Sequence, residues 1–186
     1  ALFLAVGTGI GLGIYTDGRV LSGAQGSAGS IGWMALCDPF LPEYEKCGCF
    51  ESYASGLGIA DRMRRFLAEN GPSSAYWRTI PPDTITFRHV FAAHQAGDTA
   101  AGEILSRAIL MWGMATANLI SLFNPERILF GGGLFGPAVA LLPRIAQEAA
   151  RWAQPISMQQ VEILPAGLGT EAALYGSARM VLPPSE

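Results

Sequence analysis

The sequence predicts an α/β fold, a mixed sheet that opens with an antiparallel meander and is flanked by helices. Three observations carry that expectation. Short bulky runs separated by glycine turns fill the start of the chain, the hydrophobic period turns helical from Phe50, and a long helical segment is followed by a short apolar strand ending in glycines.

The elements follow in order. Residues 2–6 are bulky and apolar and read as a buried strand. The chain turns at Gly7, residues 13–16 run back, and Asp17-Gly18 is a strong hairpin signal leading to a third strand at 19–22. Residues 23–32 carry Gly23, Gly26, Gly29 and Gly32 at every third position and read as loop, with 33–37 a further strand. Helical periodicity covers 52–67 and 87–96, separated by a proline-bearing connection over 71–84. Asp98 is placed to cap a helix over 99–123, which Asn124-Pro125 stops. A strand at 127–130 ends in Gly131-Gly132-Gly133, then come a helix at 138–152, a strand at 160–164 and a terminal helix at 170–182.

At 186 residues the chain is long enough to bury one core, and 1–186 reads as a single domain. Half the residues are hydrophobic and 15% are charged. The run 108–123 comes nearest to a membrane span, but Trp112-Gly113 and Asn118 interrupt it and Arg107 and Glu126 bound it, so a buried helix and no membrane partner are expected. The formal net charge is −3 with no basic tract, the densest cluster being Arg62, Arg64 and Arg65, so this segment is not expected to bind nucleic acid. Three cysteines make no disulfide framework and no signal peptide is visible, so the cytoplasm is expected. The chain opens on an apolar strand without an initiator methionine, which reads as a fragment cut at a domain boundary.

Gly7, Gly9, Gly11 and Gly13 stand at every second position between two strands. Without Cβ atoms such a turn can bring backbone N–H groups and the Thr8 hydroxyl close to an anion, although the same spacing serves a hairpin that only turns. The second glycine turn, Gly131-Gly132-Gly133, ends a strand and precedes a helix, where ligands sit in open α/β sheets. Two such turns suit a nucleotide.

These turns sit in longer motifs. The run Leu4-Ala5-Val6-Gly7-Thr8-Gly9-Ile10-Gly11, the tail Asp17-Gly18-Arg19-Val20-Leu21-Ser22-Gly23-Ala24 and Gly26-Ser27-Ala28-Gly29 resemble the ROK family of sugar kinases and sugar-responsive repressors. So do Cys49-Phe50-Glu51-Ser52-Tyr53-Ala54-Ser55-Gly56 and the run from Leu122 through Asn124-Pro125-Glu126-Arg127 to Gly133, in the family's order along nearly the whole chain. The resemblance implies an actin-like ATPase (ribonuclease H-like) fold, of which this chain would be the C-terminal lobe. It makes Gly7, Thr8, Gly9 and Gly11 the second phosphate loop and sets Gly131, Gly132 and Gly133 beside the adenosine. It also implies ATP with Mg²⁺ in the intact protein and an oligomer. In the family the last helix packs on the other lobe, and without that partner its apolar face of Leu174, Ala178, Val181 and Leu182 is expected to drive self-association.

Three departures bear on that implication. The family's first phosphate loop and its catalytic aspartate belong to the other lobe, and Asp38, Asp61 and Asp98 match neither motif, so none of the three is assigned as catalytic. Where the family usually has Glu-x-Gly-His, contacting sugar and zinc, this chain has Ser30-Ile31-Gly32-Trp33. Ser30 keeps a hydroxyl, and Trp33 cannot ligate a metal but offers an indole for a sugar face or an interface. The family's zinc pattern C-x-C-x4-C is met only at Cys49, with Pro42 and Tyr44 at the other two positions. Cys37 and Cys47 complete a weak three-thiol set, and zinc is not expected. Glu51 is retained, implying hydrogen bonds to sugar hydroxyls, although a carboxylate in a helix's first turn is also favoured by the macrodipole. His89 and His94 read as structural or surface residues. The functions that follow are the nucleotide- and sugar-binding lobe of a kinase for a hexose or N-acetylhexosamine, the effector lobe of a sugar-responsive repressor, or a silent sugar-binding relative. The fragment alone is expected to be inactive.

Overall fold

The computed structural model describes residues 1–181. Strand β1 (Leu2–Val6) pairs antiparallel with β2 (Ile10–Thr16), which pairs with the short β3 (Arg19–Val20). On its other side β1 lies parallel to β4 (Arg127–Gly131), and β4 parallel to β5 (Glu162–Pro165), giving the order β3-β2-β1-β4-β5. The two-residue strand period decides which face is buried. Leu2, Leu4 and Val6 stand opposite Ile14, Leu12 and Ile10, and Ile128 and Phe130 continue the row, all buried.

Against that face lie α1 (Cys49–Ala54), α2 (Gly56–Asn70), α3 (Phe87–Gln95), α4 (Thr99–Phe123) and α5 (Leu142–Ala150), followed by the short α6 (Pro155–Gln160). The final helix is α7 (Ala172–Val181); Leu182, expected within it, lies outside the described residues. Helix α4 is the axis of the helical layer and touches α1, α2, α3 and α5. Its Trp112 is fully buried, donates its indole N–H to the Ala54 carbonyl at 3.1 Å, and meets Phe135 edge-on with ring centroids 5.3 Å apart. By length and composition α4 would pass for a membrane span, and most of that stretch is packed inside the fold. The helix runs unbroken through Gly113, where a side chain would collide with Glu148 of α5 at 2.6 Å. The glycine that interrupts the apolar run is what lets α5 close on α4.

Elsewhere the structure corrects the expected elements. Residues 33–37 form no strand; Ile31–Trp33 is a single 3₁₀ turn, and the main chain of Met34 and Leu36 is bonded to the Cys49 thiol instead of a neighbouring strand. The helix expected over 52–67 is two helices, parted at Ser55, whose extended backbone ends α1 and whose hydroxyl accepts the Gly58 N–H at 3.0 Å as the cap of α2. Residues Pro137–Leu141 are 3₁₀ and only then does α5 begin. Helix α6 was not expected from the sequence, and it ends at Gln160, where the strand over 160–164 was expected to start. The Asp98 cap is as expected, accepting the Ala101 N–H at 3.0 Å, and the left-handed Asn124 ends α4. His89 closes a capping box at α3 by accepting the Thr86 N–H at 3.1 Å.

The glycine-rich loop is stitched to β2 at Gly29. Its carbonyl accepts the Leu12 N–H at 2.8 Å, its φ is +90°, and a Cβ there would stand 1.9 Å from the Leu12 carbonyl oxygen. Gly29→Ala is therefore expected to cost at least about 2 kcal/mol in urea denaturation, against about 1 kcal/mol for Gly18→Ala, which has positive φ but open space.

Asp98 also accepts from Ser73 at 2.9 Å and the Trp77 indole at 3.0 Å. Partial burial pushes its carboxyl upward, but the hydrogen bonds from Ala101, Ser73 and Trp77 outweigh it and hold the pKa below the ordinary value. The lowered native pKa means that Asp98 adds stability above its unfolded pKa, about 3.9, and loses it as pH falls through the native value. Asp98→Ala should lower the unfolding free energy by about 1–2 kcal/mol at pH 7, and the gap to wild type should close in acid.

Candidate functional site

Between β1 and β2 the chain turns through Gly7, Thr8 and Gly9, and three neighbours fix that turn. The first amides of a helix have no partner within it, and Gly56, at the start of α2, donates its N–H to the Gly7 carbonyl at 2.8 Å. Ile10 donates its N–H to Oε2 of Glu51, on α1, at 2.6 Å. Gly132, at φ +86°, lies flat on β1, where a Cβ would stand 2.4 Å from the Val6 carbonyl oxygen. The turn is thus clamped from α1, α2 and the end of β4.

Two arms of one cleft meet over this turn, both lined by Thr8, Leu57 and Arg64. The first, about 550 Å³, runs between α2 and the segment 83–88 and includes Gly7, Gly56, Ile85, Phe87, Gly133 and Leu134. Its walls are mainly apolar. Arg64 ties them together by donating to the carbonyls of Pro82 at 3.1 Å and Ile85 at 3.0 Å. The second arm, about 460 Å³, is polar and includes Glu51, Ser52, Ser55, Cys47, Lys46 and Asp61. Its rim carries the ion pairs Glu43–Arg62 at 3.0 Å, Glu43–Arg65 and Asp61–Arg65 at 2.9 Å. The hydrogen bond from Arg65 holds the Glu43 carboxyl below its ordinary pKa.

The expected ligand-facing residues divide accordingly. Gly7, Thr8 and Gly133 come together on the apolar arm, joining the two glycine turns of the sequence in one cleft. Gly7 uses its own N–H inside the turn, on the Gly9 carbonyl at 2.9 Å, so it offers space where a donor was expected; the exposed Thr8 carries a hydroxyl at the junction. Gly9 faces Glu51, 2.7 Å from Oε2 to a built Cβ. Gly11 lies within β2 opposite Ala5, and Gly131 lies within β4 against the Phe3 ring, so neither lines the cleft. Glu51 is in the polar arm. Ser30 and Trp33 are not brought to it: Ser30 donates to the Ser27 carbonyl at 2.8 Å, and Trp33, 57% exposed, lines a separate pocket of about 350 Å³ with Phe40 and Tyr44. No motif pointed to Leu57, Arg64 or the segment 83–88, whose place depends on how α2 and α3 pack.

The three thiols do not fit a zinc site. Cys49 donates to the Met34 carbonyl at 3.0 Å and accepts the Leu36 N–H at 3.1 Å. Cys37 donates to the Tyr44 hydroxyl at 3.4 Å, whereas Cys47 points into the polar arm and pairs with the Ser52 hydroxyl at 3.3 Å. Among the described residues no three His, Cys, Asp or Glu side chains converge, and a closed zinc site takes four donors.

Residues 1–183 match the ROK family. The chain is 32% identical over 186 residues to a glucokinase of Halalkalibacterium halodurans, covering 97% of this chain and 55% of that one. It is 29% identical over 150 residues to the DNA-binding transcriptional dual regulator NagC of Escherichia coli, covering 78% of this chain and 35% of that one. Among solved structures, a ROK family glucokinase from Streptomyces griseus in complex with glucose and AMPPNP matches with a TM-score of 0.79 at 27% identity, over 96% of this chain and 59% of that one. The chain therefore spans little more than half the length of the glucokinases it matches, and its α/β sheet and helices are those of the actin-like sugar kinases. On the family match over nearly every residue, the chain belongs to the ROK family.

Proposed function

We propose that the chain is the nucleotide- and sugar-facing lobe of an ATP-dependent kinase for a hexose or N-acetylhexosamine. The observation that carries this reading is the junction at Thr8, where an apolar arm lined by the two glycine turns meets a polar arm holding Glu51. A nucleoside fits the first arm, with its base against Leu57, Ala60, Phe87 and Leu134 and its phosphates reaching the Thr8 hydroxyl. A sugar fits the second, where the Glu51 carboxylate accepts from its hydroxyls. Phosphoryl transfer needs the acceptor in line with the terminal phosphate, and Thr8 stands between the two arms. The base that takes the sugar proton and the Mg²⁺ site belong, on this reading, to a second lobe beyond these 186 residues. The glucokinase relatives, one holding both glucose and AMPPNP, support the assignment.

A second reading, the effector lobe of a sugar-responsive repressor, is favoured by one feature. Ser30 and Trp33 replace the Glu and His of the kinases and stand outside the polar arm, and a transcriptional regulator is among the relatives.

The assay that separates the two follows ADP release by the longer protein with ATP and glucose or N-acetylglucosamine. Sugar-dependent release supports the kinase; no release, with sugar-sensitive DNA binding, supports the repressor. In the kinase, Glu51→Gln should lower kcat/KM for the sugar about 10–100-fold and leave KM for ATP within about twofold, the loss of one hydrogen bond to a charged group. The 186-residue chain by itself should give no ATP-dependent phosphorylation. Turnover by it that Thr8→Ala abolishes would contradict the assignment of the catalytic base and Mg²⁺ site to a second lobe.

A further inference from the structure

Residues 34–48 leave the sheet side of the molecule and return to α1 with no strand and no helical turn longer than the 3₁₀ segment Pro42–Glu45. The resemblance puts a zinc in this excursion, and the thiols do not fit one. We infer that Tyr44 and Glu43 together form a metal-free lock that holds this excursion on α1 and α2 and so positions Glu51.

The geometry of the lock is direct. Tyr44, which stands at one of the family's cysteine positions, is 3% exposed. Its hydroxyl accepts from the Cys37 thiol at 3.4 Å and donates to the Tyr53 hydroxyl at 3.3 Å, while its ring meets Phe40 edge-on at 5.7 Å. Tyr53 lies on α1, and its ring is covered by the Arg62 guanidinium of α2, 3.1 Å from the centroid. The residue beside Tyr44, Glu43, accepts from that same Arg62 at 3.0 Å and from Arg65. Two adjacent side chains thus reach two helices, with Arg62 shared between them. The other end of α1 is pinned by the paired bonds of Cys49 to Met34 and Leu36, at 3.0 and 3.1 Å. Glu51 sits between Cys49 and Tyr53 on this six-residue helix, so both ends of its support are held by the excursion, one of them through the lock. Burial, with the bonds to Cys37 and Tyr53, pushes the Tyr44 phenol well above its ordinary pKa.

The Ile10 amide reports on Glu51 without any ligand, because its N–H is bonded to the carboxylate at 2.6 Å. Hydrogen–deuterium exchange on the purified chain therefore tests the inference. Tyr44→Phe and Glu43→Gln are each expected to speed exchange across 34–52 about five- to tenfold, and at Ile10 with it, while the middle of α4 is unchanged. EDTA, or one equivalent of zinc, should alter none of these rates in the wild type. Zinc-dependent slowing over 34–52 would overturn the metal-free lock, and so would unchanged rates there in both variants. Faster exchange over 34–52 with Ile10 unmoved would overturn the positioning of Glu51.

Discussion

The whole site depends on one constraint, the fixed backbone of the turn from Gly7 to Ile10. A glycine turn between two strands has many available shapes, and fixing one costs conformational entropy that the surroundings must offset. Three groups do so from three directions: the Gly56 amide on the Gly7 carbonyl, the Glu51 carboxylate on the Ile10 amide, and Gly132 packed on the Val6 carbonyl. Because those groups come from α2, α1 and β4, anything that shifts a helix relative to the sheet moves the turn. The buried Trp112, which joins α4 to the end of α1 through the Ala54 carbonyl, is part of the same support.

The Glu51 bond gives the carboxylate two duties. One oxygen satisfies a strand amide, and the side chain lines the polar arm. A charged acceptor on a backbone amide is a strong hydrogen bond, so the carboxylate is held before any ligand arrives. Preorganisation of this kind lowers the ordering cost of binding, and on the inference above residues 34–48 serve it through Tyr44 and Glu43, and through Met34 and Leu36 on the Cys49 thiol.

Local signals in the sequence carried the parts of the fold that local physics decides. The buried strand at 2–6, the Asp98 cap and the stop at Asn124 each depend on a few neighbouring residues, and each is where the sequence put it. Strand β2, by contrast, begins at Ile10, within the expected turn and ahead of the expected 13–16. The break at Ser55 was not legible, because it is stabilised by Gly56 reaching back to Gly7, far away along the chain. The apolar run 33–37 has the composition of a strand, but its Met34 and Leu36 main-chain groups are taken by the Cys49 thiol. The candidate site shows the same division. Gly7, Gly9 and Gly11 look alike in sequence, yet one lines the cleft, one makes room for Glu51 and one lies inside a strand. Glu51 was legible from its motif, and Tyr44 was visible only as a missing cysteine, since its partners come from α1 and from Cys37.

The central claim is that nucleotide and sugar occupy two arms of one cleft that meet at Thr8. The most direct measurement is a crystal structure of the longer protein with AMPPNP and glucose bound together. The account predicts the terminal phosphate within hydrogen-bonding reach of the Thr8 hydroxyl, the base against Leu57 and Leu134, and a glucose hydroxyl on the Glu51 carboxylate. Either ligand bound outside its arm, or a phosphate chain that does not pass Thr8, would contradict it.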